Sequence, residues 1–116
     1  MKRTAILGLL IFCSSFVHAE AKLGAREVLL DNDKVQIIRL TYPPGTESGM
    51  HTHDFPHRAV YFVKGGKLRL LSDNNESQRH VINIPDGKAF FMPKVAHNVI
   101  NIGETEVIII ETEIKN

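Results

Sequence analysis

The chain has 116 residues, with 14 lysines and arginines against 13 acidic residues, so its formal net charge is +1 at pH 7. A charge this close to zero gives no indication of a nucleic acid or an anionic membrane surface as a partner. The length is enough for one domain and too short for two.

Residues 1–19 have the order of a secretory signal peptide. A basic start, Met1 to Arg3, precedes an apolar run of eight residues, Ala5 to Phe12, and Val17 and Ala19 supply the residues expected before a cleavage point. Cleavage is expected after Ala19, with Ala21 as the alternative. The sequence therefore predicts a periplasmic or secreted protein that has no membrane partner once the signal is removed.

Processing would also change the composition. Cys13 is the only cysteine and would leave with the signal, together with Lys2 and Arg3. The mature chain of about 97 residues could then form no disulfide, and 12 cations would remain against 13 acids, a formal net charge of −1. A domain this small buries only about two-thirds of its unfolded surface, so we expect a homodimer to stabilise it.

The remaining chain predicts eight or nine short strands and no helix, because apolar residues recur in short runs between turn residues. The Ser72 to Glu76 segment is predicted to be a polar hairpin loop. The predicted strands are Arg26 to Leu30, Val35 to Tyr42, a strand carrying His51 and His53, Ala59 to Val63, Lys67 to Leu71, His80 to Ile84, Lys88 to Met92, His97 to Ile102 and Glu106 to Glu113. Such a series predicts an antiparallel β-sandwich closed as a small barrel.

The sequence also indicates which parts of two strands are buried. The Val107 to Ile110 run lacks clean alternation, which predicts a core strand covered on both faces, with a dimer interface as one place for it. Tyr61 lies within a strand and is expected in the core or at its rim.

Three histidines, His51, His53 and His57, fall within seven residues. Successive side chains of a strand point to opposite faces, so His51 and His53 share one face. Two imidazoles on one face form half of a first-row metal site. His97, which follows Pro93 at the start of a later strand, could complete that site across a barrel.

The spacing of these histidines resembles the first motif of the cupin family, G-x5-H-x-H-x3 or x4-E-x6-G. Gly45, His51, His53 and Gly65 stand at the glycine and histidine positions of that motif. The resemblance implies an all-β fold, a small antiparallel β-barrel or jelly roll, with residues 20–116 forming a single cupin domain.

A later segment resembles the second cupin motif, G-x5-P-x-G-x2-H-x3-N. Gly87, Pro93, His97 and Asn101 fit it, although the spacing from proline to histidine is one residue short and Val95 lies where the motif has glycine. The resemblance implies that His97 is a metal ligand and that Asn101 forms hydrogen bonds that orient a loop.

The glutamate of the first motif is absent. Arg58 lies at its position, or His57 if the shorter spacing applies, so the three-histidine, one-glutamate ligand set of the family does not carry over whole. His57 as a fourth ligand would turn Arg58 outward. An inward Arg58 would suit an anionic ligand such as a carboxylate, held bidentately. Alternatively, Arg58 pairs with a structural acid such as Glu111 or Glu113.

The sequence thus predicts an exported small cupin that binds a divalent transition metal (Fe, Mn, Ni, Cu or Zn) through His51, His53, His97 and, if the short spacing holds, His57. Arg58 is the residue expected to bind a small anionic ligand, which the protein would act on or sense. Two alternatives stay open: a metal-dependent dioxygenase-type enzyme, and a structural cupin that has lost its metal. His80 is expected to take no part.

Overall fold

The computed structural model describes residues 20–72 and 79–116. The predicted signal peptide at residues 1–19 and most of the predicted loop from Ser72 to Glu76 lie outside these residues. The described residues form nine β-strands and no helix, in antiparallel sheets, which confirms the all-β prediction. Accordingly, the described part of the chain contains no helix that is long and apolar enough to cross a membrane.

The nine strands form two sheets. They are β1 Ala25–Asp31, β2 Val35–Tyr42, β3 His51–Thr52, β4 His57–Lys64, β5 Gly66–Ser72, β6 Arg79–Ile84, β7 Ala89–Pro93, β8 Ala96–Asn101 and β9 Val107–Ile114. The five-stranded sheet has the order β1-β2-β9-β4-β7, and the four-stranded sheet has the order β3-β8-β5-β6. Buried apolar side chains from both sheets form one core between them: Tyr42, Val60, Phe62, Leu68, Ile84, Val99, Val107 and Ile109.

Two strands differ from the prediction. β4 begins at His57 rather than Ala59, because it pairs with both β7 and β9 from that residue onward. β3 is only two residues long, His51–Thr52, and pairs with β8 alone. The other strand bounds agree with the predicted ones to within one residue or two.

The β9 strand lies in the centre of its sheet, between β2 and β4. Its side chains alternate: Val107 and Ile109 are buried in the core, whereas Ile108 and Ile110 face the outside and are half-buried. The prediction of a core strand is therefore right, but its outer face is less covered than its lack of alternation suggested. The alternation continues through Glu111 and Glu113, which also point inward.

The outer face of the five-stranded sheet carries large exposed apolar side chains. Tyr61 and Val63 of β4 are nearly half exposed, and Phe91 of β7 is 66% exposed. Large exposed apolar side chains on one face of a sheet are typical of an association surface. The expected homodimer stays a prediction, which the mass of the protein in solution tests: a monomeric mass at micromolar concentration would contradict it.

The loop between β8 and β9 is held by Asn101, whose side chain is completely buried. Its Nδ2 donates to the carbonyl oxygens of Tyr42, at 2.7 Å, and of Thr105, at 2.8 Å. Its Oδ1 accepts from the Gly103 amide at 3.0 Å. Asn101 therefore orients this loop against β2, as the motif resemblance implies.

Gly65 lies between β4 and β5, where the chain passes against the end of β6. A Cβ atom at this position would lie 1.9 Å from the carbonyl oxygen of Ile84. No side chain fits in that space, which explains physically why a glycine ends the first motif. The Gly65 amide donates to Asp86 Oδ1 at 2.7 Å, so the close approach is also hydrogen-bonded.

Candidate metal centre

Strand pairing brings His51 and His97 together. His51 of β3 lies directly opposite His97 of β8 in the antiparallel register. Side chains directly opposite one another in such a pair lie on the same face and within contact distance. His53 follows the end of β3 and turns to the same point. We refer to His51, His53 and His97 as the histidine cluster.

The ring nitrogens of the histidine cluster converge. His53 Nε2 lies 3.0 Å from His97 Nε2. One ligand nitrogen from each of the three rings lies within 4.8 Å of the other two. Two nitrogens that bind one ion at about 2.1 Å and at right angles lie about 3.0 Å apart. His53 and His97 therefore have the spacing that neighbouring ligands of a transition metal need, and a nitrogen of His51 lies near both.

Hydrogen bonds fix the orientation of two of these rings. His51 Nδ1 lies 3.0 Å from the carbonyl oxygen of Gly49, and His53 Nδ1 contacts Glu113 Oε1. Since a carbonyl can only accept, His51 Nδ1 carries the proton and donates it. The same tautomer at His53 leaves both ε nitrogens with free lone pairs at the centre of the cluster. Metal-binding histidines commonly have this second contact.

Two glutamates complete the polar end of the barrel interior. Glu111 and Glu113 of β9 are both buried, and with His53 they form a second group whose possible ligand atoms lie within 4.8 Å of one another. His53 Nδ1 lies 3.6 Å from Glu111 Oε1. The sequence alone predicts these residues only as partners of Arg58. Their position in the inward row of β9, two and four residues after Ile109, was the signal that could have found them.

Arg58 points into the barrel. Its side chain is 3% exposed, it lies opposite Glu113 in the register of β4 and β9, and its Nε is 3.7 Å from Glu111 Oε2. The sequence offered an inward arginine and an acid-paired arginine as alternatives, and the structure shows both at once. Arg58 Nε and Nη1 nevertheless have no hydrogen-bond partner among the described residues.

His57 lies outside the histidine cluster. Because β4 alternates, an inward Arg58 requires an outward His57, which is exposed and stacks on Phe91 with ring centroids 5.2 Å apart. Among the described residues, the groups arranged to hold a metal do not include His57. His80 is exposed on β6, also away from the cluster.

Burial keeps the imidazoles of His53 and His97 neutral. Burial, with Arg58 and the two neighbouring histidines, lowers the pKa of His97 to about 3. Burial also lowers the pKa of His53, although its contact with Glu113 opposes the shift. Metal binding needs the neutral imidazole. These two rings are therefore in their metal-binding form at neutral pH without having to release protons.

Burial has the opposite effect on Glu111. Its pKa is raised from 4.5 to about 7, chiefly by burial and against the attraction of Arg58. The folded metal-free protein thus holds a proton there that the unfolded chain releases near pH 4.5. The stability that this proton contributes is complete below about pH 4.5 and is lost as the pH rises through about 7.

We therefore expect the unfolding temperature of the metal-free protein to fall relative to that of Glu111→Gln as the pH rises from 5 to 8. The buried histidines His53 and His97, whose pKa values are lowered, have the opposite effect below about pH 6.5, and they do so in both proteins. Glutamine keeps the shape and cannot ionise. Thermal denaturation across the pH range, with the exposed Glu104→Gln as the control, measures the effect. If the unfolding temperatures of wild type and Glu111→Gln change with pH in parallel, then Glu111 has the same pKa in the folded and the unfolded protein, which would contradict the prediction.

Two cavities meet at the histidine cluster. The polar cavity, of about 310 Å³, opens beside β1 and β2 and is lined by His53, Glu113 and polar side chains that include Arg26, Gln36, Ser48, Thr52 and Asp54. The apolar cavity, of about 150 Å³, lies between the sheets and is lined by Arg58, His97 and apolar side chains from seven strands. His51 and Glu111 line both.

The structure has close relatives in fold. A cupin domain from Bordetella pertussis superposes with a TM-score of 0.75 at 29% identity, over 85% of this chain and 100% of that one. An RmlC-like cupin with a double-stranded β-helix fold from Methanocaldococcus jannaschii gives a TM-score of 0.62 at 20% identity, over 84% of this chain and 85% of that one.

Sequence comparison points the same way, although no family model matches the chain. The chain is 37% identical over 89 residues to the beta-alanine degradation protein BauB of Pseudomonas aeruginosa, an alignment that covers 76% of this chain and 90% of that protein. Similarity of that extent to a curated protein, together with the shared double-stranded fold, shows common descent. The chain is a member of the cupin superfamily and belongs to the same family as BauB.

Proposed function

We propose that this protein binds a divalent transition metal at the histidine cluster and holds a small anionic ligand beside it through Arg58. The observation that carries the proposal is the convergence of three imidazoles whose ligand nitrogens lie within 4.8 Å of one another inside a cupin barrel. Imidazole suits Fe, Mn, Ni, Cu and Zn alike, so the donor set selects a class of metal rather than one ion.

The residues around the cluster have separate roles in this proposal. His51, His53 and His97 would hold the ion, which can polarise a bound carbonyl group or lower the pKa of a bound water. Glu113 holds the His53 ring through its Nδ1. Arg58 supplies a permanent cation at the edge of the cluster. A neutral histidine set beside this cation favours a ligand that brings its own negative charge.

The relative BauB supports the anionic class of ligand. The name of that protein assigns it to the degradation of beta-alanine, a small molecule with a carboxylate group. A carboxylate matches the planar donor geometry of an arginine side chain. For this chain, we take from the relative only the chemical class.

Metal binding is tested directly by titration. Protein produced without an affinity tag would be stripped with a chelator and titrated with each of the five ions, with metal content measured by mass spectrometry after desalting. We expect one ion per chain to be retained. If none of the five is retained above the level of a non-binding control protein, the metal proposal fails and the chain is a structural cupin.

A catalytic role as a metal-dependent dioxygenase is a second candidate. The observation that favours it is that a polar cavity and an apolar cavity meet at the cluster, so a bound substrate and a small co-substrate could approach from different sides. Oxygen consumption by the metal-loaded protein against a panel of carboxylates and diketones tests it. No consumption with any loaded ion would leave a binding or sensing role.

We also propose export, on the basic, apolar and small-residue order of residues 1–19. Protein recovered from the cell envelope fraction should begin at Glu20, or at Lys22 if the alternative site is used. N-terminal sequencing decides this, and a chain in that fraction that begins at Met1 would contradict processing.

A further inference from the structure

We infer that the apolar cavity binds the tail of a monocarboxylate whose head group is held by Arg58. The ligand class is a carboxylate with an uncharged apolar tail, either a phenyl ring or an alkyl chain of about four to six carbons. This inference deepens the proposed function, since it names the ligand of the same site, and it can be tested with or without the metal.

Arg58 is a buried cation with hydrogen-bond donors that lack a partner in the described part of the chain. Its guanidinium is always charged and is buried, yet Nε and Nη1 have no hydrogen-bond partner among the described residues. A buried charge whose donors are unsatisfied is unfavourable unless something pairs with it. A carboxylate offers two oxygens that can accept from neighbouring guanidinium nitrogens. The binding of such a group would therefore satisfy donors that the protein leaves open.

The described neighbours do not satisfy Arg58. Glu111 Oε2 lies 3.7 Å from Nε, which is beyond hydrogen-bond distance. The Oε1 atom of Glu113 is in contact with His53 instead. The hydrogen-bond donors Nε and Nη1 of Arg58 thus remain available to a ligand.

The two cavities present different residues to a ligand that approaches Arg58. Arg58 and His97 line the apolar cavity, whereas His53 and Glu113 line the polar one. Of the two acids of β9, Glu113 stands on the other side of the cluster, whereas Glu111 lines both cavities. A carboxylate that reaches Arg58 from the apolar cavity therefore meets the arginine and the His97 ring, with Glu111 as the one carboxylate of β9 that lines the same cavity.

The walls of the apolar cavity and its volume limit the tail of the ligand. Beyond its polar end the apolar cavity is lined by apolar side chains, among them Val60, Leu68, Leu70, Ile82, Met92 and Val99. Its volume of about 150 Å³ is that of a cavity which accepts a benzene molecule. An ammonium or second carboxylate at the far end of the ligand would lie unpaired against these walls. The tail must therefore be apolar and about the size of a phenyl ring.

Calorimetric titration of the full chain tests the inference, with and without bound metal. Hexanoate and benzoate should bind. Acetate should bind roughly 200-fold more weakly than hexanoate, because it has four fewer methylene groups and each one that is buried contributes about 0.8 kcal/mol. Hexanamide, which lacks the charge, and beta-alanine, which has a charged tail, should each bind at least about tenfold more weakly than hexanoate. Acetate, hexanamide or beta-alanine binding as tightly as hexanoate would overturn the proposal.

Two variants locate the site. Arg58→Gln should weaken hexanoate binding at least about tenfold, whereas Arg39→Gln, at an exposed arginine of β2 that pairs with Glu27, should not change it. Leu70→Phe should fill the cavity and weaken hexanoate binding at least as much, with metal uptake unchanged. Undiminished binding by either Arg58→Gln or Leu70→Phe would place the ligand elsewhere and overturn the inference.

The metal measurement separates this inference from the proposed function. Metal retained without any carboxylate binding would overturn the ligand inference and leave the metal proposal standing. Hexanoate bound by a protein that retains no metal would uphold the ligand inference and defeat the metal proposal.

Discussion

Replacement of His51, His53 or His97 by alanine should lower the metal content of the purified protein at least about tenfold, which corresponds to about 1.4 kcal/mol or more of binding free energy. Each ring contributes one of three ligand nitrogens that lie within 4.8 Å of one another, and no alanine atom can replace it. The fold should persist, because the core between the sheets is built from other residues. Mass spectrometry for metal and circular dichroism for the fold measure the two effects on the same samples.

The matched controls are the exposed histidines. His57→Ala and His80→Ala remove imidazoles that face solvent away from the cluster, so both variants should retain metal at the wild-type level. A His51→Ala protein that kept its full metal load would show that the ion lies elsewhere. Loss of metal from His57→Ala would show that β4 pairs in a different register in solution, with His57 facing the site.

Replacement of Glu113 by alanine should lower metal affinity by about ten- to a hundredfold, the usual effect of removing the partner of a metal-binding histidine. Glu113 contacts His53 Nδ1 from the inward face of β9 and fixes which nitrogen of that ring faces the cluster. Glu113→Gln should recover part of the affinity, because an amide oxygen can still accept from Nδ1. Competition with a coloured chelator measures the affinities of the three proteins.

The glutamine variant separates two roles for Glu113. If Glu113→Gln binds metal more tightly than Glu113→Ala, the residue positions His53 and is not itself a ligand. If the two variants lose affinity equally, the carboxylate charge itself is needed, as expected for the alternative donor group of His53, Glu111 and Glu113. Wild-type affinity in Glu113→Ala would exclude both roles. The exposed Glu104→Ala serves as the control for loss of a surface charge.

The strands could be predicted from the sequence because side-chain alternation and turn residues are local features of the chain. Ile38 and Leu40 of β2 are two residues apart, so strand geometry puts them on one face, and the structure turns that face toward the barrel interior, where both line the polar cavity. Turn residues such as Gly65 ended strands where the chain must approach another backbone closely. The two motifs then identified the cupin barrel, which the structure and its relatives confirm.

By itself the sequence also determined that His51 and His53 share a face and that His97 is a candidate third member, because strand geometry and motif spacing are properties of the chain alone. It could not decide between His57 and Arg58, since a one-residue change in register turns every side chain of a strand to the opposite face. Only the pairing of β4 with β7 and β9 turned Arg58 inward and His57 outward. The tertiary structure also placed Glu111 and Glu113 of β9 beside His53, although about 60 residues of chain separate them. No local pattern in the sequence encodes a contact between residues so far apart in the chain.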